Sequence, residues 1–164
     1  MTRSVTRKSV PRTRPSHDEE LIARAEAAVE KLSSQFGVWM EDECQRLAGL
    51  ARALRGGADA GGFAALFRAA HDIKGEAATL GYPQLEAVAA SLCRLIDHTP
   101  DKARIPPALI DRHIAAGFAA VRAPQAAATV AAVREAAAAA ARFLAVAGDI
   151  ASAPETESPP LAPE

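Results

Sequence analysis

The sequence predicts an all-α fold: an up-and-down antiparallel four-helix bundle with an extended N-terminal helix and an additional C-terminal helix. Apolar residues make up 49% of the chain and aromatic ones only 4%, so its core must be built from Ala, Leu, Val and Ile. That supply suits closely packed helices better than a β-sandwich, which draws on β-branched and aromatic residues. Apolar positions recur at three- and four-residue spacings along successive segments, and no segment alternates with period two between turn signals. Short connections between the segments imply antiparallel neighbours. A chain of 164 residues has room for one such domain and its tails.

Residues 1–16 carry Arg3, Arg7, Lys8, Arg12 and Arg14 with Pro11 and Pro15 and no acidic residue, which reads as a disordered basic tail. Ser16 followed by Glu19 is a capping-box start. From there Leu21, Ala25, Val29, Leu32, Phe36, Trp39, Leu47, Leu50 and Leu54 fit one helical face, as one long helix or as two with a break near Gly37. The pairs Gly56-Gly57 and Gly61-Gly62 mark a connection. A second helix is predicted from Phe63 to Leu80, with Phe63, Leu66, Phe67, Ala70, Ile73, Ala77 and Leu80 inward and Gly81 as its stop. Pro83 opens a third, with Leu85, Val88, Leu92, Leu95 and Ile96 on one side, ending near His98 and Pro100. Pro106-Pro107 opens a fourth, striped by Ile110, Ile114, Phe118 and Val121, and Pro124 a fifth, Ala-rich helix to Gly148. The bundle is thus expected over 17–148, with a disordered Pro- and Glu-rich tail over 151–164.

A formal charge of -1 offers no general attraction for nucleic acid. Cys44 and Cys93 form no metal-type pair and are expected as small core residues. No apolar run is long enough to span a bilayer, and the N-terminus lacks the apolar segment of a secretion signal. A cytoplasmic protein without membrane insertion is the expectation.

The chemistry is concentrated in residues 66–81, L-F-R-A-A-H-D-I-K-G-E-A-A-T-L-G. On a helix, Lys74, Gly75 and Ala78 share the face of His71, being three, four and seven residues beyond it. A Gly inside a helix costs about 1 kcal/mol relative to Ala, so Gly75 in an Ala-rich chain asks for a reason. Room beside the imidazole is the simplest, for another backbone or a phosphoryl group to approach. Lys74 puts a compact, mobile charge in reach of that space, and Lys supplies only four of the 19 basic residues.

This segment resembles the signature of the histidine phosphotransfer (HPt) family, H-x-[hydrophobic]-K-G-x-A-x-x-x-G, and its wording is closest to the phosphorylatable domain of chemotaxis-type histidine kinases. The resemblance implies a phosphocarrier of a two-component phosphorelay, with His71 accepting a phosphoryl group on its distal ring nitrogen. The group would come from a receiver-domain aspartate or a kinase and be passed on. Lys74 would help neutralise its charge and Gly75 would leave the approach clear. Arg68 and Ala78 would contact the partner, a response-regulator receiver domain or a histidine kinase. No cofactor is implied for this chain, since the divalent metal of such transfers is held by the receiver. Family members often orient the imidazole with a Gln or Glu on the following helix. Here the aligned positions are Ala90 and Cys93, which leaves Asp72 or Glu86 as substitutes.

Other classes fit less well. A non-phosphorylatable interaction or dimerisation module retaining the motif is the alternative. A di-metal bundle needs Glu-x-x-His pairs, yet Arg68, Leu95 and Ile110 stand three residues before His71, His98 and His113. A kinase needs a nucleotide site, and no G-x-x-x-x-G-K-[ST] loop occurs, so the chain is expected to be no enzyme in its own right. His17, His98 and His113 read as ordinary surface or core side chains.

Overall fold

Five α-helices and one single-turn 3-10 helix make up the computed structural model, which describes residues 17–57 and 60–151. In chain order they are α1 (His17–Leu54), α2 (Ala60–Leu80), α3 (Pro83–His98), the 3-10 turn (Lys102–Arg104), α4 (Pro107–Arg122) and α5 (Ala127–Ala151). The described residues contain no strand. The predicted tail over 1–16 and the Ser16 cap lie outside the described residues, as does the tail over 151–164 except for Ala151. Two compact units divide between Gln35 and Phe36.

The first unit contributes the helical segment His17–Gln35, opened by Asp18, Glu19 and Glu20, whose carboxylates suit the positive end of the helix dipole. All its residues are exposed. The helical face that the spacing marks through Leu21, Ala25, Val29 and Leu32 is therefore no part of the core: all four are exposed. Periodicity reports that a face is apolar, but not that the same chain covers it. There is also no break at Gly37, because α1 runs unbroken to Leu54.

In the second unit the core begins at Met40 and takes Cys44, Leu47, Ala51 and Leu54 from α1. Expected core positions on α2 and α3 are filled as the spacing requires: Phe63, Leu66, Ala70, Ile73 and Ala77 are buried, and so are Leu85, Val88, Leu92, Leu95 and Ile96. Phe67, Leu80, Phe118 and Val121 pack partly buried at its margin. Helix α3 is the central element, in contact with α2, α4 and α5, and α4 also packs on α5. Small residues such as Ala69, Ala89, Ala116, Ala120 and Ala136 line these contacts and let the backbones approach. Each fully buried Leu or Ile contributes roughly 1.5–3 kcal/mol.

Helix ends follow local chemistry. After α2, Gly81 adopts φ +80° and the Tyr82 N–H donates to the Ala77 carbonyl at 2.9 Å, a left-handed stop that glycine takes without steric cost. Pro83 and Pro107 each stand in the first turn of their helices, where a missing N–H costs nothing. Three boundaries differ from expectation, one being the end of α5, which runs to Ala151 and not Gly148. Gly61 and Gly62 are inside the first turn of α2, where the burial of Phe63 and Leu66 offsets their poor propensity. Helix α5 opens at Ala127, because Ala123–Ala126 close a turn through an Ala126 N–H to Ala123 carbonyl bond of 3.1 Å. Both cysteines are free and buried. Burial, reinforced by Glu41 and Glu43, pushes the Cys44 thiol up to about 12.

His113 is one of four buried polar residues among the described ones, with Ser91, Thr99 and Thr129. Its Nδ1 lies 2.8 Å from the Leu109 carbonyl, which can only accept, so that nitrogen carries the proton. Its Nε2, 3.0 Å from Ser91 Oγ, then accepts from the hydroxyl. The pair pins α4 to α3 with both polar groups satisfied, as burial demands. His17 and His98 are exposed.

Candidate functional site

Helix α2 buries one face through Leu66, Ala69, Ala70, Ile73 and Ala77, and this fixes which residues point outward. His71 emerges on the solvated side, with Arg68, Gly75 and Ala78 also exposed and Lys74 half-buried. Four residues before His71, the Phe67 ring stacks on the imidazole, with centroids 6.2 Å apart and 25° between planes. Because Phe67 is itself packed against the core, it gives a fixed apolar wall to one side of a solvent-facing ring. Neither Asp72 nor Glu86, nor any other described side chain, hydrogen-bonds that ring. Asp72 lies instead 3.9 Å from Arg46 of α1.

A Cβ added at Gly75 would meet no atom within 4 Å. Internal packing therefore does not require glycine here, and the open volume is on the outer side. The Gly75 carbonyl accepts from Thr79 Oγ1 at 3.0 Å, one turn on. Burial raises the pKa of the Cys93 thiol on α3, and the positive charge of Lys74 only partly offsets that rise. Ala90, half-buried, and Cys93, buried, offer no hydrogen bond to His71. On α2, burial together with Glu43 and Asp72 raises the carboxyl pKa of Glu76, one oxygen of which is buried without a hydrogen bond.

Beside Phe67 an open groove of about 310 Å³ runs between α2, the end of α3 and the 3-10 turn. Phe63, Phe67 and Ile96 form its apolar wall, and Arg68, Asp97 and Lys102 supply its charges. Arg68, His71, Lys74, Gly75 and Ala78 share one helix, and the fold adds Phe67, which the sequence placed only among the inward residues, and Lys102, which it did not single out. Phe67 had a signal, an aromatic one turn from the histidine. Lys102 had none, since only the chain's return after α3 brings it near. No three His, Cys, Asp or Glu side chains among the described residues group as metal ligands. No described helix is long and apolar enough to cross a membrane.

The family model for the Hpt domain matches residues 19–136. No curated protein and no solved structure matches the chain. With a match over most of its length and a solvent-facing histidine on the motif-bearing helix, the chain belongs to the Hpt domain family, the histidine phosphotransfer modules of phosphorelays.

Proposed function

We propose that the protein is a phosphocarrier in which His71 is the phosphorylated residue. The observation that carries this reading is the exposed imidazole with open space beside it at Gly75. The distal ring nitrogen attacks the phosphorus of an aspartyl phosphate on a receiver domain; the P–N bond forms as the P–O bond breaks and the aspartate carboxylate departs. The reverse reaction passes the group on. Lys74, with a mobile ammonium on the same face, partly neutralises the phosphoryl oxygens while the group is shared. Gly75 leaves the approach clear, and Arg68 and Ala78 contact the partner. The divalent metal belongs to the receiver. A histidine kinase is the second class of donor.

In this reading residues 17–148 form the transfer domain, its helices follow one another up and down, and the protein works in the cytoplasm, in keeping with its two free cysteines. Incubation with a phosphorylated receiver tests it. Label should appear on the wild-type chain as an acid-labile, base-stable phosphoramidate and be absent from His71→Gln, whose helical content should be unchanged. Full labelling of His71→Gln would overturn the assignment.

A further inference from the structure

The segment His17–Gln35 exposes a row of large apolar side chains: Leu21, Ile22, Val29 and Leu32 stand 48, 58, 62 and 50% accessible. Isolated exposed apolar residues are ordinary, but a continuous row along a helix is a surface that water disfavours. Ile22, Ala25, Val29 and Leu32 follow a three-four-three spacing, and the sequence keeps the same register through Phe36 and Trp39. This is the 3.5-residue repeat of a coiled-coil seam, with β-branched Ile22 and Val29 at a and Leu32 at d. β-Branched residues at a with Leu at d favour two parallel strands over higher orders.

The flanking positions do not oppose pairing between identical chains. Leu21, Ala28 and Gln35 fall at g, and Glu26 and Ser33 at e. In a parallel pair, g of one helix meets the following e of the other, so Leu21 meets Glu26 and Ala28 meets Ser33, with no like charges opposed. Arg24, Glu30 and Lys31 fall at b and c, on the side away from the seam. From Ile22 to Leu32 the seam would be about 17 Å long, and only the in-register alignment matches all four of its layers.

We infer that this segment pairs with the same segment of a second copy of the chain as a parallel, in-register, two-stranded coiled coil. The pairing is separate from phosphotransfer at His71 and stands or falls on different measurements.

Sedimentation equilibrium of the full chain, from micromolar to several hundred micromolar, should give a dimer. The double variant Val29→Glu/Leu32→Glu should be a monomer throughout that range with the bundle's thermal transition retained, because both side chains are exposed. Ala25→Cys, at d, should cross-link between copies on mild oxidation, and Glu30→Cys, at b, should not. A monomeric wild-type chain would overturn the inference, as would a dimer that survives the double variant. A dimer in which Ala25→Cys fails to cross-link would equally refute the parallel arrangement.

Discussion

The Phe67 ring lies against the His71 imidazole one helical turn away on α2, with centroids 6.2 Å apart and 25° between planes, and no described side chain hydrogen-bonds that imidazole. A hydrogen bond would fix one ring nitrogen; a stack instead restricts the plane and leaves both nitrogens without a side-chain hydrogen bond among the described residues. Such aromatic contacts contribute about 0.5–1.5 kcal/mol. Phe67→Ala should therefore slow phosphotransfer by about 2- to 10-fold without preventing labelling, and Phe67→Tyr should keep most of the rate. Single-turnover transfer kinetics would show this. An unchanged rate in Phe67→Ala would mean the ring needs no orienting contact.

Gly75 offers a clean separation of stability from access. Outside its own helical turn nothing lies within 4 Å of where a Cβ would stand, and the residue is exposed, so a larger side chain can extend into solvent. Gly75→Leu should raise stability by somewhat under about 1 kcal/mol, through helix propensity, while blocking transfer. Thermal unfolding and receiver-dependent labelling of one preparation would test both halves. Transfer that survives the Leu side chain would refute the steric role.

Charge at the site should divide by position. Lys74 is central and half-buried, whereas Arg68 is exposed at the rim of the groove. Lys74→Ala should lower the transfer rate more than it weakens binding to an unphosphorylated receiver. Arg68→Ala should chiefly flatten the salt dependence of association, since exposed charges steer encounter and are screened. Stopped-flow transfer and equilibrium binding at two ionic strengths distinguish these. Equal losses of rate and affinity for Lys74→Ala would make it a docking contact only.

The buried His113 predicts a pH dependence of stability. Burial lowers its pKa, an effect only partly opposed by the bond to the Leu109 carbonyl. Below the ordinary histidine value near 6.5 the unfolded chain binds a proton that the folded one does not, so this group's contribution is present above that pH and is lost as pH falls below it. The slope cannot exceed about 1.4 kcal/mol per pH unit. Denaturant unfolding at pH 7 and pH 5 should show the loss in the wild type and a smaller one in Ser91→Ala/His113→Leu, which removes both partners together. Equal losses in the two proteins would assign the dependence to other groups.

The sequence by itself determined the helices and the chemistry-bearing stretch. Spacings of three and four residues marked the buried faces of α2 and α3, because a helix places those residues on one side whatever surrounds it. Pro83, Pro107 and Gly81 punctuated the helices for the same local reason, and the His71, Lys74 and Gly75 spacing is likewise a property of one helix. Tertiary structure decided what depends on residues distant in the chain. Burial of Leu47 but exposure of Leu32, on one continuous helix, could not be read from periodicity, since the partner surface lies elsewhere. Gly61 and Gly62 entered α2 because core packing of Phe63 and Leu66 overrode weak local propensity. The ring of His113 found Ser91 across a helix contact, and Lys102 reached the groove beside Phe67 only because the chain turns back after α3.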